Sequence, residues 1–150
     1  MNIGGNVGTI LAHKKLSSVW SVGPNAMVGD VIQLMDEKNV GALPVVNKGQ
    51  LVGIVSERDC TRRVILKGKS FKETPVSDIM TKQVLTVTPA DSITECMEIM
   101  TENRVRHLPV LEGTNMVGIL SIGDVLKWLL SAQTATIDQL ESYITGSYPA

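Results

Sequence analysis

The chain has 150 residues, 43% of them apolar, with 14 basic against 15 acidic side chains and a net charge of −1. That is material for one compact domain, and the balanced charge with one Phe, two Trp and two Tyr disfavours a polyanion-binding surface or a base-stacking platform as its main design. No apolar run approaches the about 20 residues that span a bilayer, and residues 1–15 carry neither a secretory nor a transit pattern, so the expected location is the cytoplasm.

Residues 1–18 read as a leader in which Thr9 to Lys15 predict a short helix. Val19-Trp20-Ser21-Val22-Gly23-Pro24 is a β-rich run stopped by a proline, a strand and a turn. Val28, Val31, Ile32, Leu34 and Met35 then recur at helical spacing. Two apolar β runs, Ala42 to Val46 and Leu51 to Val55, flank Asn47-Lys48-Gly49-Gln50, whose Asn and Gly are hairpin residues. A helix starting at Ser56 and carrying Val64, Ile65 and Leu66 closes the unit. Residues 67–83 form a charged linker with Pro75, in which Val76 to Met80 predict a turn of helix. From Val84 the same order returns: a run ending at Pro89, a helix capped by Asp91 and Ser92 and carrying Ile93, Cys96, Met97, Ile99 and Met100, β runs Leu108 to Leu111 and Met116 to Leu120, and a helix from Ser121 with Val125, Leu126, Leu129 and Leu130. In the tail, 131–150, Thr136 to Ile144 predict a trailing helix that ends before Gly146.

Residues 19–65 and 84–130 therefore align at a constant offset of 65 without a gap, with 14 identical pairs among 47, including Pro24/Pro89, Leu43/Leu108, Pro44/Pro109, Gly53/Gly118, Ser56/Ser121 and Asp59/Asp124. The predicted fold is α/β of the α+β kind: two β-α-β-β-α repeats, 19–66 and 84–130, packed through their sheets about a pseudo-twofold axis. A unit this small buries its apolar face against its copy, so function is expected at the seam.

Both hairpins end in one pattern, Gly53-Ile54-Val55-Ser56-Glu57-Arg58-Asp59 and Gly118-Ile119-Leu120-Ser121-Ile122-Gly123-Asp124, with Ser and Asp at a strand-to-helix junction. Helix capping, worth about 0.5–2 kcal/mol, accounts for one such copy without any ligand. Its recurrence at the seam suits a nucleotide better: helix-start amides and a Ser hydroxyl suit phosphate, an aspartate accepts from both ribose hydroxyls, glycine admits a flat group, and Ile54 or Ile119 covers a purine face. The second repeat adds Arg106-His107 where the first has Gly41-Ala42, following Arg104, so three potential cations gather with no acid between them.

Other chemistry is thinly supported. His13 and His107 are the only histidines and have no metal-ligand spacing; no nucleophile stands with a base. Cys60 and Cys96 stand alone as reduced thiols, Cys96 on a buried helix face and Cys60 with room for partial exposure and a pKa lowered by Arg58. The chain is thus read as non-catalytic. Arg62, Arg63, Lys67, Lys69 and Lys72 suggest an alternative, a nucleic-acid adaptor or protein scaffold, but interspersed Glu57, Asp59 and Glu73 favour a solvated helix face.

The strand ending in Val-x-Pro, the Leu-Pro-Val strand and Gly-h-x-Ser-x-x-Asp, each present twice within residues 19–130, resemble a tandem pair of cystathionine β-synthase (CBS) domains, a Bateman module. The phrases Ser56-Glu57-Arg58-Asp59, Val64 to Ser70, Glu102 to Val110 and Ser121 to Val125 are similar to the stand-alone CBS-pair proteins of bacteria and plant mitochondria. The resemblance implies a sensor of adenosine-bearing ligands, AMP, ADP, ATP, NAD(H) or S-adenosylmethionine, with one adenosine in each of two clefts. It implies Ser56 and Asp59 for one cleft and Ser121 and Asp124 for the other. The adenine is expected to be covered by Val84 and Leu85 at Asp59 and by Val19 and Trp20 at Asp124. Phosphates are expected at Arg106 and His107, ahead of Leu108 and Pro109, with Arg58 adding charge to the first motif where the second has Gly123. The sites are therefore expected to be unequal. A homodimer paired through helices, and a regulated partner protein of unknown identity, complete what the resemblance implies.

Overall fold

The computed structural model describes residues 4–14 and 19–145. Helix α1 (Val7–His13) leads into the first repeat, which comprises α2 (Val28–Lys38), β1 (Ala42–Asn47), β2 (Gln50–Ser56) and α3 (Glu57–Cys60), the last continuing as one π-helical stretch, Thr61–Ile65. A 3-10 turn, Val76–Asp78, opens the approach to the second repeat, α4 (Ile93–Asn103), β3 (His107–Glu112), β4 (Asn115–Ser121) and α5 (Ile122–Thr145). β1 pairs antiparallel with β2, and β3 with β4, in the same register: Leu43 opposes Val55 as Leu108 opposes Leu120, and both ladders slip one residue after Val45 or Val110. Lys48 and Gly49 take positive φ (51° and 78°) to close the first hairpin.

The first predicted strand of each repeat contracts to a single parallel bridge, Val22 to Val45 and Val87 to Val110. Pro44 and Pro109 explain the short contact: each lacks an N–H, and its carbonyl accepts from Val22 or Val87 at 3.1 Å. Helix α5 runs unbroken through the predicted trailing helix, so Thr136 to Ile144 belong to its far end and are not a separate element. Lys15, expected to close the leading helix, lies outside the described residues, as do residues 146–150.

Each copy has its own core. Val28, Val31, Met35, Leu43, Val45, Val55 and Cys60 pack in the first; Ile93, Cys96, Met100, Leu108, Val110, Leu120 and Val125 occupy the equivalent places in the second. The remaining core members come from crossed segments. Val76, Ile79 and Met80, which precede the second repeat in the chain, fill the first core, while Val7 and Ile10, which precede the first repeat, fill the second. The docking is identical in kind: Val76 N donates to Ala26 O and Ser77 N to Pro24 O, as Val7 N donates to Asp91 O and Gly8 N to Pro89 O. Residues 6–11 and 75–80 are thus a further repeat, exchanged between the two copies.

Candidate functional site

The two hairpins bring their Ser/Asp motifs to the seam as capping boxes. Asp59 N donates to Ser56 Oγ at 3.2 Å, and Ser56 N donates back to Asp59 Oδ2 at 2.9 Å. In the second copy Asp124 N donates to Ser121 Oγ at 3.1 Å, and Ser121 N to Asp124 Oδ2 at 2.8 Å. An ionised carboxylate has about four acceptor positions, so the box leaves each aspartate with capacity for further donors.

Around Asp59 lies a cavity of about 520 Å³ with walls from both copies: Gly41, Ala42, Ile54, Ser56, Arg58 and Asp59 from the first, Arg104, Arg106 and His107 from the second. The copies touch here, since a Cβ on Gly41 would stand 3.5 Å from His107 Cε1 and Arg58 Nη1 donates to Arg104 O at 3.3 Å. Arg104 holds left-handed backbone (φ 53°), the helix C-cap conformation that Asn39 takes in the first copy. An arginine costs more there than asparagine, and the position directs the chain into the cavity wall. Arg62 and Arg63 also line the cavity, so two of the side chains read as a solvated face belong to it. Arg63 donates to Ile79 O at 2.9 Å, and its Nε stands 3.8 Å from Asp59 Oδ1. Their place was hidden because the π-helical stretch sets the angle at which positions 61–65 leave Asp59.

The Asp124 half differs. Lys14 Nζ lies 2.7 Å from Asp124 Oδ2 and donates to Ile119 O at 2.9 Å. Asp124 and Lys14 also border a cavity of about 740 Å³ between α1 and α5, walled by His13, Lys127 and Trp128. Ser121, Ile119 and Gly123 do not line it, and the space around Gly123 is open except for Ser121 Oγ, 3.6 Å from where a Cβ would be.

Several expected neighbours go elsewhere. Leu108 is fully buried in the second core and Pro109 is buried on the same strand, so their contribution is to place His107 at the mouth of β3. Trp20 lies under Lys38, whose Nζ is 4.0 Å from the ring centroid, and neither Trp20 nor Val19 borders either cavity. Val84 and Leu85 are likewise absent from the Asp59 cavity wall, whose apolar edge is Ile54, Ala42 and Val105. Gly53 and Gly118 do not admit a flat ligand: a Cβ on Gly53 would strike Met80 and come within 3.1 Å of Thr81 O, and one on Gly118 would lie 3.0 Å from Leu11. Their smoothness serves the crossed segments. Cys60 is buried, and desolvation first, then Asp59 and Glu57, pushes its thiol up to about 11, the reverse of the lowering expected from Arg58.

Burial holds the His107 imidazole below its usual 6.5, while the Asp124 and Glu57 carboxylates pull the other way and Lys14 and Arg106 add to the lowering. The fold therefore takes up a proton here less readily than the unfolded chain does. Stability from this group is fully present above pH 6.5 and is lost as the pH falls below it, through the depressed folded value. Denaturant melts on either side of pH 6.5 should show wild type losing more stability on acidification than His107→Gln; equal losses would remove this group as the cause.

The CBS domain family profile matches residues 14–66 and 76–131. A CBS domain-containing protein of Arabidopsis thaliana mitochondria, CBSX3, is 42% identical over 126 residues, 81% of this chain; the chain spans 61% of that relative's length. Inosine-5'-monophosphate dehydrogenase of Methanocaldococcus jannaschii is 34% identical over 134 residues, 85% of this chain and 26% of the enzyme. Among solved structures, a protein with CBS domains from Burkholderia ambifaria MC40-6 superposes with a TM-score of 0.83 at 45% identity, covering 85% of this chain and 96% of that one.

Proposed function

Since this chain belongs to the CBS domain family and carries the domain twice, we propose that it is a regulatory module, without catalysis of its own, that binds an adenosine-containing nucleotide between its two copies. The observation that carries this reading is the meeting, in one cavity, of Ser56 and Asp59 from the first copy with Arg104, Arg106 and His107 from the second. The cavity's 520 Å³ falls within the about 300–1,000 Å³ usual for small-molecule sites. Asp59 is the ribose acceptor, Ile54 and Ala42 the apolar edge for the base, and Arg58, Arg106 and His107 the phosphate holders. AMP, ADP, ATP, NAD(H) and S-adenosylmethionine are the ligand class, and a dinucleotide has room to extend along the arginines. In the dehydrogenase relative the matched part is 26% of the enzyme, which supports a module separable from a catalytic body.

A ligand spanning both walls favours one packing of the copies over another, and that shift is the signal passed to a regulated protein. Pairing of two chains through the exposed apolar side chains Ile65, Leu66 and Leu126 belongs to the same reading, with sedimentation of the purified chain as its check. No helix among the described residues is long and apolar enough to cross a membrane.

The test is to denature the purified protein, identify any released small molecule by mass spectrometry, and titrate AMP, ATP, S-adenosylmethionine and NADH by calorimetry. At least one is expected to bind and to be recovered unchanged; four flat titrations with no released nucleotide would overturn the reading and leave the scaffold role. Arg106→Ala is expected to weaken ATP about tenfold, one charge-assisted hydrogen bond at an exposed position, while leaving adenosine nearly unaffected. Equal loss for both ligands removes the phosphate role.

A further inference from the structure

The crossed segments leave the two halves of the seam chemically different. In the first copy Ile54 is paired through backbone alone: Ile54 N donates to Thr81 O at 3.0 Å and Thr81 N donates to Ile54 O at 2.9 Å. In the second copy the docked segment stays helical to His13, and the carbonyl of Ile119, the counterpart of Ile54, is met by a side chain, Lys14 Nζ at 2.9 Å. The same ammonium lies 2.7 Å from Asp124 Oδ2. By the spacing that matches Val7 to Val76 and Ile10 to Ile79, the counterpart of Lys14 is Gln83, which carries no charge.

Two contacts from one ammonium, with the side chains of Lys14 and Asp124 only 29% and 18% exposed, make this more than a surface ion pair. The base of the lysine is also fixed, because Val7 and Ile10 are buried in the second core and Leu11 seats against Gly118. Among the described residues Asp59 has no equivalent: the nearest cation, Arg63 Nε, stands 3.8 Å away on the other carboxylate oxygen, and the cavity in front of it is open.

We infer that Lys14 is an internal ligand of the second half-site, occupying Asp124 where ribose hydroxyls would donate, so that the pair offers a single nucleotide site, at Asp59. This rests on the nucleotide reading above. Ser121 N and the ammonium both sit on Oδ2, so a ribose that donates to both carboxylate oxygens of Asp124 must displace the ammonium, and Lys14 thereby determines how many nucleotides the module holds.

Calorimetry with AMP and with ATP on the full chain tests this. Wild type should bind one equivalent, Asp124→Asn should bind it with affinity changed less than twofold, and Lys14→Met, which keeps the aliphatic stem, should bind two. The second equivalent should vanish in the double variant Lys14→Met/Asp124→Asn. Two equivalents in wild type, or a single one in folded Lys14→Met, overturns the inference while leaving the nucleotide reading intact. If Lys14→Met does not fold, Asp124→Asn decides alone, since loss of a site in that variant overturns the inference. No binding of either nucleotide to any of these proteins overturns both readings together.

Discussion

Asp59→Ala is expected to lower adenosine-nucleotide affinity by at least about 100-fold, the largest functional effect of any single substitution here. Two ribose hydroxyls donating to one carboxylate are worth about 1.5–3 kcal/mol each, and every 1.4 kcal/mol is tenfold. The substitution also removes the acceptor for Ser56 N, one half of the capping box, at about 1 kcal/mol of stability. Fold and function can be separated because the molecule contains a matched control. Asp124→Ala removes the same half of the box from the second copy, the acceptor for Ser121 N, together with the Lys14 bridge, and so loses at least as much stability. Only Asp59→Ala should lose the nucleotide. Thermal melts and calorimetry on the two variants decide the matter; unchanged affinity in Asp59→Ala would reduce its motif to a helix cap.

The second large effect falls on stability. Leu43→Ala should cost about 2–5 kcal/mol, because Leu43 is 1% exposed and packed at the centre of the first core. For a chain of this length each kcal/mol lowers the melting temperature by roughly 2–4 °C. Leu108→Ala should do the same to the second core, which shares no buried member with the first. The two losses are expected to add in the double variant, as they do for sites without common neighbours. Denaturant melts measure both; a cost below about 1 kcal/mol for Leu43→Ala would mean that this core collapses around the gap.

Much of the architecture was legible because it is written in short-range periodicity. The unbroken apolar run Ala42 to Val46, helical spacing in Val28 to Met35 and the Asn-x-Gly turn each reflect local geometry, and duplication at a constant offset made the strand and helix signals count twice. The reading of 19–24 as a strand was too generous, since β propensity is satisfied at Val22 alone once Pro44 supplies only an acceptor. The crossed docking of 6–11 was illegible for a different reason. Only Val7/Val76 and Ile10/Ile79 are shared with 75–80, and their spacing differs from the offset of 65 that relates the rest. For Trp20 and Leu108, sequence order says which segment a side chain sits on, but not whether its face meets a lysine, a core or a cavity. Arg62 and Arg63 passed for solvated charge because nothing in composition foretells a π-helical stretch.

The exchange of segments 6–11 and 75–80 means that this chain has no seam along which it can be cut into two self-sufficient pieces. A break at exposed Gly68 gives a front fragment whose core lacks Val76, Ile79 and Met80, and a back fragment whose core lacks Val7 and Ile10. Each fragment carries the plug for the other's hole. Expressed separately, the two should stay poorly folded alone and reassemble on mixing, in the manner of a split reporter.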